Sequence, residues 1–145
     1  GNQGAYTDAI TELLDIYPTL CELTGLPIPS HVQGKSFAPL LEAPQEAHKE
    51  AAYTQYPRDF YHDGQLVGKK YFQGYSVRTE HFRYNEWRLS SNIDSVMGRA
   101  LYDYRRAPLE YENIAGLAEY SRVLDKHQEL LDHQFIKDAP KNKYE

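Results

Sequence analysis

The side chains of this chain that could do chemistry fall into three groups. Cys21 is the single cysteine. A thiol needs a nearby base or positive charge to become a nucleophile. Cys21 lies instead in the apolar stretch Thr19-Leu20-Cys21-Glu22-Leu23, where it reads as a small core residue. Being single, it excludes an internal disulfide and a thiolate metal cluster. The second group is Arg58, Asp59, His62, Asp63, Lys69 and Lys70, all within one polar stretch. Asp59, His62 and Asp63 offer oxygen and imidazole ligands, but a hard cation takes about six to eight oxygens. Three scattered donors read as a polar loop with no metal site. The third group is histidine on the C-terminal segment. His127 and His133 are not three or four residues apart, so they do not share a helix face and make a poor metal pair. A Ser-His-Asp set can be drawn from six histidines, but no nucleophile elbow supports one. No catalytic residue is assigned in this chain.

Composition excludes other functions. The formal charge is -5 and Lys/Arg never run beyond Lys69-Lys70 or Arg105-Arg106, which argues against a nucleic-acid partner. No apolar run reaches the length that crosses a bilayer. Hydrophobic residues make up 41%, enough for a core. Thirteen tyrosines suit half-buried strands, interfaces and sugar-facing surfaces. The chain opens on Gly1-Asn2-Gln3-Gly4, unlike a secretory leader and without Met, so a longer parent protein is expected.

The elements that would position these groups follow from pattern. Asp15 is placed to cap a helix with Pro18 in its first turn, apolar Tyr17, Leu20 and Leu23 on one face, and Gly25 as terminator before Pro27 and Pro29. Residues 7–14 read equally as strand or helical turn. Residues 34–41 suggest a short helical turn starting at Ser36, and 42–50 a solvated loop. Residues 51–57 read as a strand stopped by Pro57, with 58–70 as the longest loop. The runs 71–78 and 82–89 form an antiparallel hairpin, and 99–104 a further strand. From Leu117 an apolar stripe through Tyr120, Leu124, Leu131 and Phe135 predicts a long helix. The expected fold is α+β: a small antiparallel sheet of about four strands packed with a C-terminal helix. The expected organisation is a connecting segment over 1–50, a subdomain over 51–137 and a frayed tail over 138–145.

Four stretches in order carry a family resemblance. They are Asp15-Ile16-Tyr17-Pro18-Thr19-Leu20 with Gly34-Lys35-Ser36-Phe37-Ala38-Pro39-Leu40-Leu41; Tyr53-Thr54-Gln55-Tyr56-Pro57-Arg58; Gly74-Tyr75-Ser76-Val77-Arg78-Thr79 with Phe82-Arg83-Tyr84 and Trp87; and Leu101-Tyr102-Asp103 with Pro108, Glu110 and Asn113. Together they resemble the C-terminal part of sulfatases, and the second and third resemble the iduronate-2-sulfatase-like members. The resemblance implies a small sheet and terminal helix, the alkaline-phosphatase/sulfatase-like C-terminal subdomain, packed on a larger α/β domain. It implies a parent that hydrolyses sulfate esters of a sulfated sugar such as a glycosaminoglycan. That parent would use a formylglycine, made from Cys or Ser in Cys/Ser-x-Pro-x-Arg, and a bound Ca²⁺. Cys21 is followed by Glu22-Leu23-Thr24-Gly25 and no Ser satisfies the pattern, so this chain is expected to hold neither cofactor.

The resemblance also implies that loops of this part border the substrate pocket. Arg58 could then hold a carboxylate or sulfate through two parallel hydrogen bonds, or equally form an ion pair to the larger domain. Lys69 and Lys70 could reach an acidic sugar or simply be solvated, and His62 is a further candidate. Arg78, Arg83 and Trp87 suit cross-strand packing. The expected partners are the N-terminal catalytic domain and a sulfated carbohydrate, with no nucleic acid and no membrane. A periplasmic, extracellular or lysosomal location follows from the resemblance alone. The alternative is a stand-alone sugar- or protein-binding module using its tyrosines.

Overall fold

The computed structural model describes residues 4–137. The chain forms two compact units, Gly1–Ala52 and Tyr53–Glu145. The expected tail over 138–145 lies outside the described residues.

In the first unit a 3-10 turn, Leu13–Asp15, leads into helix α1 (Ile16–Leu23). Asp15 sits at the expected cap position, yet its carboxylate makes no capping bond to α1. It accepts from the backbone amides of Glu12 at 2.9 Å and Lys35 at 2.8 Å, and from Lys49 Nζ at 2.6 Å. A fully buried carboxylate needs such partners, and here they tie together three segments distant in sequence. Thr19 adds a second tie: its hydroxyl donates to Asp15 O at 2.6 Å and accepts from Phe37 N at 2.9 Å. These bonds turn Pro18, Thr19 and Cys21 inward. Tyr17, Leu20 and Leu23, which the pattern places on one apolar face, stay 54%, 55% and 55% exposed. Gly25 ends α1 with φ 70°, and Leu26 N donates to Cys21 O at 2.8 Å while Gly25 N donates to Glu22 O at 3.2 Å. This paired closure needs a left-handed residue, which glycine supplies without a Cβ penalty. The helical turn expected from Ser36 begins later, as a 3-10 turn over Ala38–Leu41, with Ser36 Oγ accepting from Ala38 N at 3.2 Å.

Asp15 makes the first unit acid-sensitive. Burial pushes its carboxyl up, but the Lys49 ammonium and the amides of Lys35 and Glu12 outweigh that and hold it below its usual value. A carboxyl depressed by folding stabilises fully above its unfolded pKa of ~3.9, and that stability is lost as pH falls through the folded value. Asp15→Asn is therefore expected to cost about 1–3 kcal/mol at neutral pH and to flatten the loss below about pH 4. Melting curves across that range check both; an acid limb unchanged in the variant would assign the sensitivity elsewhere.

The second unit is a four-stranded antiparallel sheet in chain order: β1 (Ala52–His62), β2 (Gln65–Arg78), β3 (Phe82–Leu89) and β4 (Asn92–Asp103). Three expectations are corrected. β1 does not stop at Pro57 but runs through it, because β1 is an edge strand and an edge tolerates a missing N–H. Residues 58–70 are not a loop but the arms of a hairpin, turned by Asp63 (φ 48°) and Gly64 (φ 75°). Two successive positive φ values make the turn whose twist matches paired strands, and Asp-Gly is the sequence that adopts it. β4 likewise starts seven residues earlier than the expected 99–104, directly after a tight turn at Ser90-Ser91.

Period-two alternation gives the sheet two faces. Phe82, Tyr84, Glu86 and Arg88 are buried on one face of β3; Arg83, Asn85 and Trp87 lie on the other. Register places Tyr75, Val77 and Leu101 with the buried set. Helix α2 (Ser121–Asp132) covers that face, with Leu131 fully buried. His127, read above only as a poor metal ligand, is buried as a strut. Its Nδ1–H donates to Val123 O at 2.7 Å and Nε2 lies 2.9 Å from Thr79 Oγ1, fixing α2 to the β2–β3 turn. Phe135 stacks on Tyr75 at 5.0 Å beyond the helix. Glu86 is fully buried with Arg88 beside it. Glu86 accepts from Arg88 Nε and from the Tyr84 hydroxyl at 2.5 Å, and Arg88 reaches Asp132 on α2 at 2.6 Å. Burial and the Glu86 bond push the Tyr84 hydroxyl far above its usual range.

Asn113 closes the outer edge of β4 like one residue of a further strand. Its Oδ1 accepts from Leu101 N at 3.0 Å and its Nδ2 donates to Arg99 O at 3.1 Å. Sheet edges need such cover. Asn113→Ala strands both groups and is expected to cost about 1–3 kcal/mol. Asn113→Asp, which keeps the acceptor and loses the donor, should fall between. Chemical denaturation checks the order; equal stability of all three forms would rule out the edge role.

Candidate functional site

Opposite α2, the exposed face of the sheet carries an open cleft of ≈ 1050 Å³ lined by Tyr56, Arg58, Asp59, Trp87, Met97 and Gly98 among others. β1, β3 and β4 each supply part of the wall. The Arg58 guanidinium carbon lies 5.8 Å from the centroid of the Trp87 ring. A cation over an indole face is held by the ring quadrupole while its N–H groups stay available to an anion. The arrangement combines an apolar, aromatic floor with a positive charge at its rim. Its lining residues include no Cys, Ser, Thr, Lys or His.

The remaining expected site residues spread along the hairpin. Arg58 is on strand β1, not in a loop. Lys69 is exposed on β2, and His62 ends β1 beside the turn, with Nε2 3.5 Å from Asp63 Oδ2 and both side chains open to solvent. The side chain of Lys70 lies outside the described residues. Of the expected residues, Arg58 alone among the described ones lines the cleft. Tyr56, Trp87, Met97 and Gly98 were not read as site residues, because only the strand register brings them together. Among the described residues no three His, Cys, Asp or Glu side chains gather to hold a metal ion, and Cys21 is buried.

The family model described as "N-sulphoglucosamine sulphohydrolase, C-terminal" matches residues 2–137. The chain belongs to this sulfatase C-terminal family. This sulfatase C-terminal domain is 31% identical over 129 residues to the Delta 4,5-hexuronate-2-O-sulfatase of Bacteroides thetaiotaomicron, covering 82% of the chain and 22% of that protein. It is 27% identical over 152 residues to the Iduronate 2-sulfatase of Mus musculus, covering 83% of the chain and 28% of the relative. A solved structure bound to its substrate D-Glucosamine-2-N, 6-O-disulfate superposes with TM-score 0.60 and 29% identity, over 82% of this chain and 22% of that one. The domain thus spans 22% to 28% of these relatives' length. The relatives are sulfatases that carry this domain as one part, as the sequence resemblance implies. The α+β sheet-and-helix fold agrees with theirs.

Proposed function

We propose that this chain is the C-terminal subdomain of a sulfatase that hydrolyses sulfate esters of a sulfated sugar, of the glycosaminoglycan class. The domain match over residues 2–137 carries the reading. The iduronate-2-sulfatase-like type is part of the proposal, supported by Gln55-Tyr56-Pro57-Arg58 and Gly74-Tyr75-Ser76-Val77-Arg78-Thr79. The subdomain does no chemistry itself. Among the described residues no three His, Cys, Asp or Glu side chains gather as metal ligands, and Cys21 lacks the Pro and Arg that a formylglycine motif requires. Both groups belong to the larger catalytic domain, which is the proposed partner. Leu13, Tyr17, Leu20, Leu23 and Leu26 are all more than half exposed. An apolar stripe of that size marks a surface made to be covered, which disfavours a free-standing binding module. Among the described residues no helix is long and apolar enough to cross a membrane; a periplasmic, extracellular or lysosomal compartment accompanies the family reading. Arg58, Lys69, Lys70 and His62 remain the proposed pocket-bordering charges.

The test is direct. Expressed alone, the 145-residue chain should hydrolyse no aryl sulfate with or without Ca²⁺, and should self-associate in light scattering. The longer protein containing it should turn the same ester over. Turnover by the isolated chain above background would overturn the assignment of chemistry to the larger domain.

A further inference from the structure

Trp87 is the single tryptophan of the chain, and both of its cross-strand neighbours are glycines: Gly74 on β2 and Gly98 on β4. The two glycines act differently. A Cβ on Gly74 would lie 2.5 Å from the Trp87 ring, so the bare backbone there lets the indole lie against β2. A Cβ on Gly98 would meet nothing within 4 Å, and its φ is outside the left-handed region. Neither turn geometry nor packing therefore requires glycine at 98. A side chain there would enter the open space of the cleft that Gly98 lines.

We propose that this cleft seats a six-membered sugar ring bearing a carboxylate or sulfate, a reading that rests on the sulfatase function above and adds the residues that select the ring. Met97, which is 57% exposed, offers an apolar surface to the C–H face of the ring beside the Trp87–Arg58 pair. Arg58 takes the anion in a two-pronged hydrogen bond. Gly98 keeps the seat open, and Gly74 is a positioning residue that acts through Trp87.

The experiment uses the full-length protein and two esters, a sulfated uronate-containing disaccharide and an aryl sulfate with no sugar. The readout is the ratio of their kcat/KM values. In Gly98→Val and Arg58→Ala the ratio is expected to fall roughly tenfold or more against the sugar, with Gly98→Ala intermediate. An unchanged ratio, including equal loss on both esters, overturns the proposal. If the unaltered protein turns over neither ester, the function reading has failed, and the seat is decided by calorimetric titration of the same disaccharide. Binding that Gly98→Val weakens roughly tenfold supports the seat. Equal binding in the two forms, or none to the unaltered protein, overturns it.

Discussion

Glu86→Ala is expected to destabilise the sheet-and-helix unit by about 3–5 kcal/mol, a large share of a small domain's stability. Glu86 is fully buried, accepts from Tyr84 and Arg88, and lies 3.5 Å from Arg99 Nε. Truncation leaves the Arg88 guanidinium, 4% exposed, facing a void with half its charge partner gone. Asp132 would remain as its counter-ion on α2, so the damage should spread to the helix packing. Restoring shape without charge should recover most of the loss, since a buried ion pair is about neutral against well-packed apolar residues. The double variant Glu86→Met with Arg88→Met is therefore expected to be more stable than Glu86→Ala alone. Urea unfolding of the three proteins tests this. A single variant within about 1 kcal/mol of the parent would mean that water reaches the pair.

Gly34→Ala should be comparably severe, for a steric reason. A Cβ at 34 would sit 2.0 Å from the carbonyl oxygen of Leu14 and 3.1 Å from Asp15 Cα. Both are backbone atoms that cannot rotate away. Relief would require the strand of chain around Gly34 to back off, and Lys35 N would then leave the Asp15 carboxylate. A cost of roughly 3 kcal/mol or more follows, seen as a fall in Tm of roughly 10 °C or more. Gly98→Ala is the matched control, because its added methyl meets open space. If the two alanine variants melt together, the close approach of Gly34 to Leu14 is refuted.

Much of the architecture was legible in the residues. The alternation around Tyr75, Val77, Phe82 and Tyr84 located the central hairpin, and the stripe through Leu124, Leu131 and Phe135 located the terminal helix. Gly25 announced the end of α1. What escaped had competing signals. Pro57 outweighed the strand pattern around it because sequence does not say which strand is an edge. Asp63-Gly64 carried the hairpin signal, but the polar residues beside it read as loop. Tyr17, Leu20 and Leu23 look like a buried face, and their exposure depends on where Thr19 finds its hydrogen bond, in residue 37. The cleft shows the same limit. Arg58 stands out by type, whereas Gly74 and Gly98 matter only because register sets them on either side of Trp87.

The order β1-β2-β3-β4 has a consequence for how the unit is made. Every ladder joins neighbours in sequence, so each closes over a short turn at small entropic cost, and contact order within the sheet is low. The whole sheet is clear of a ribosome once Asp103 is out, before α2 has emerged to pack against it. In that interval the face bearing Glu86 and Arg88 is still wet. The two charges can find each other in water first, and the helix arrives afterwards to shut the solvent out over a pair already formed.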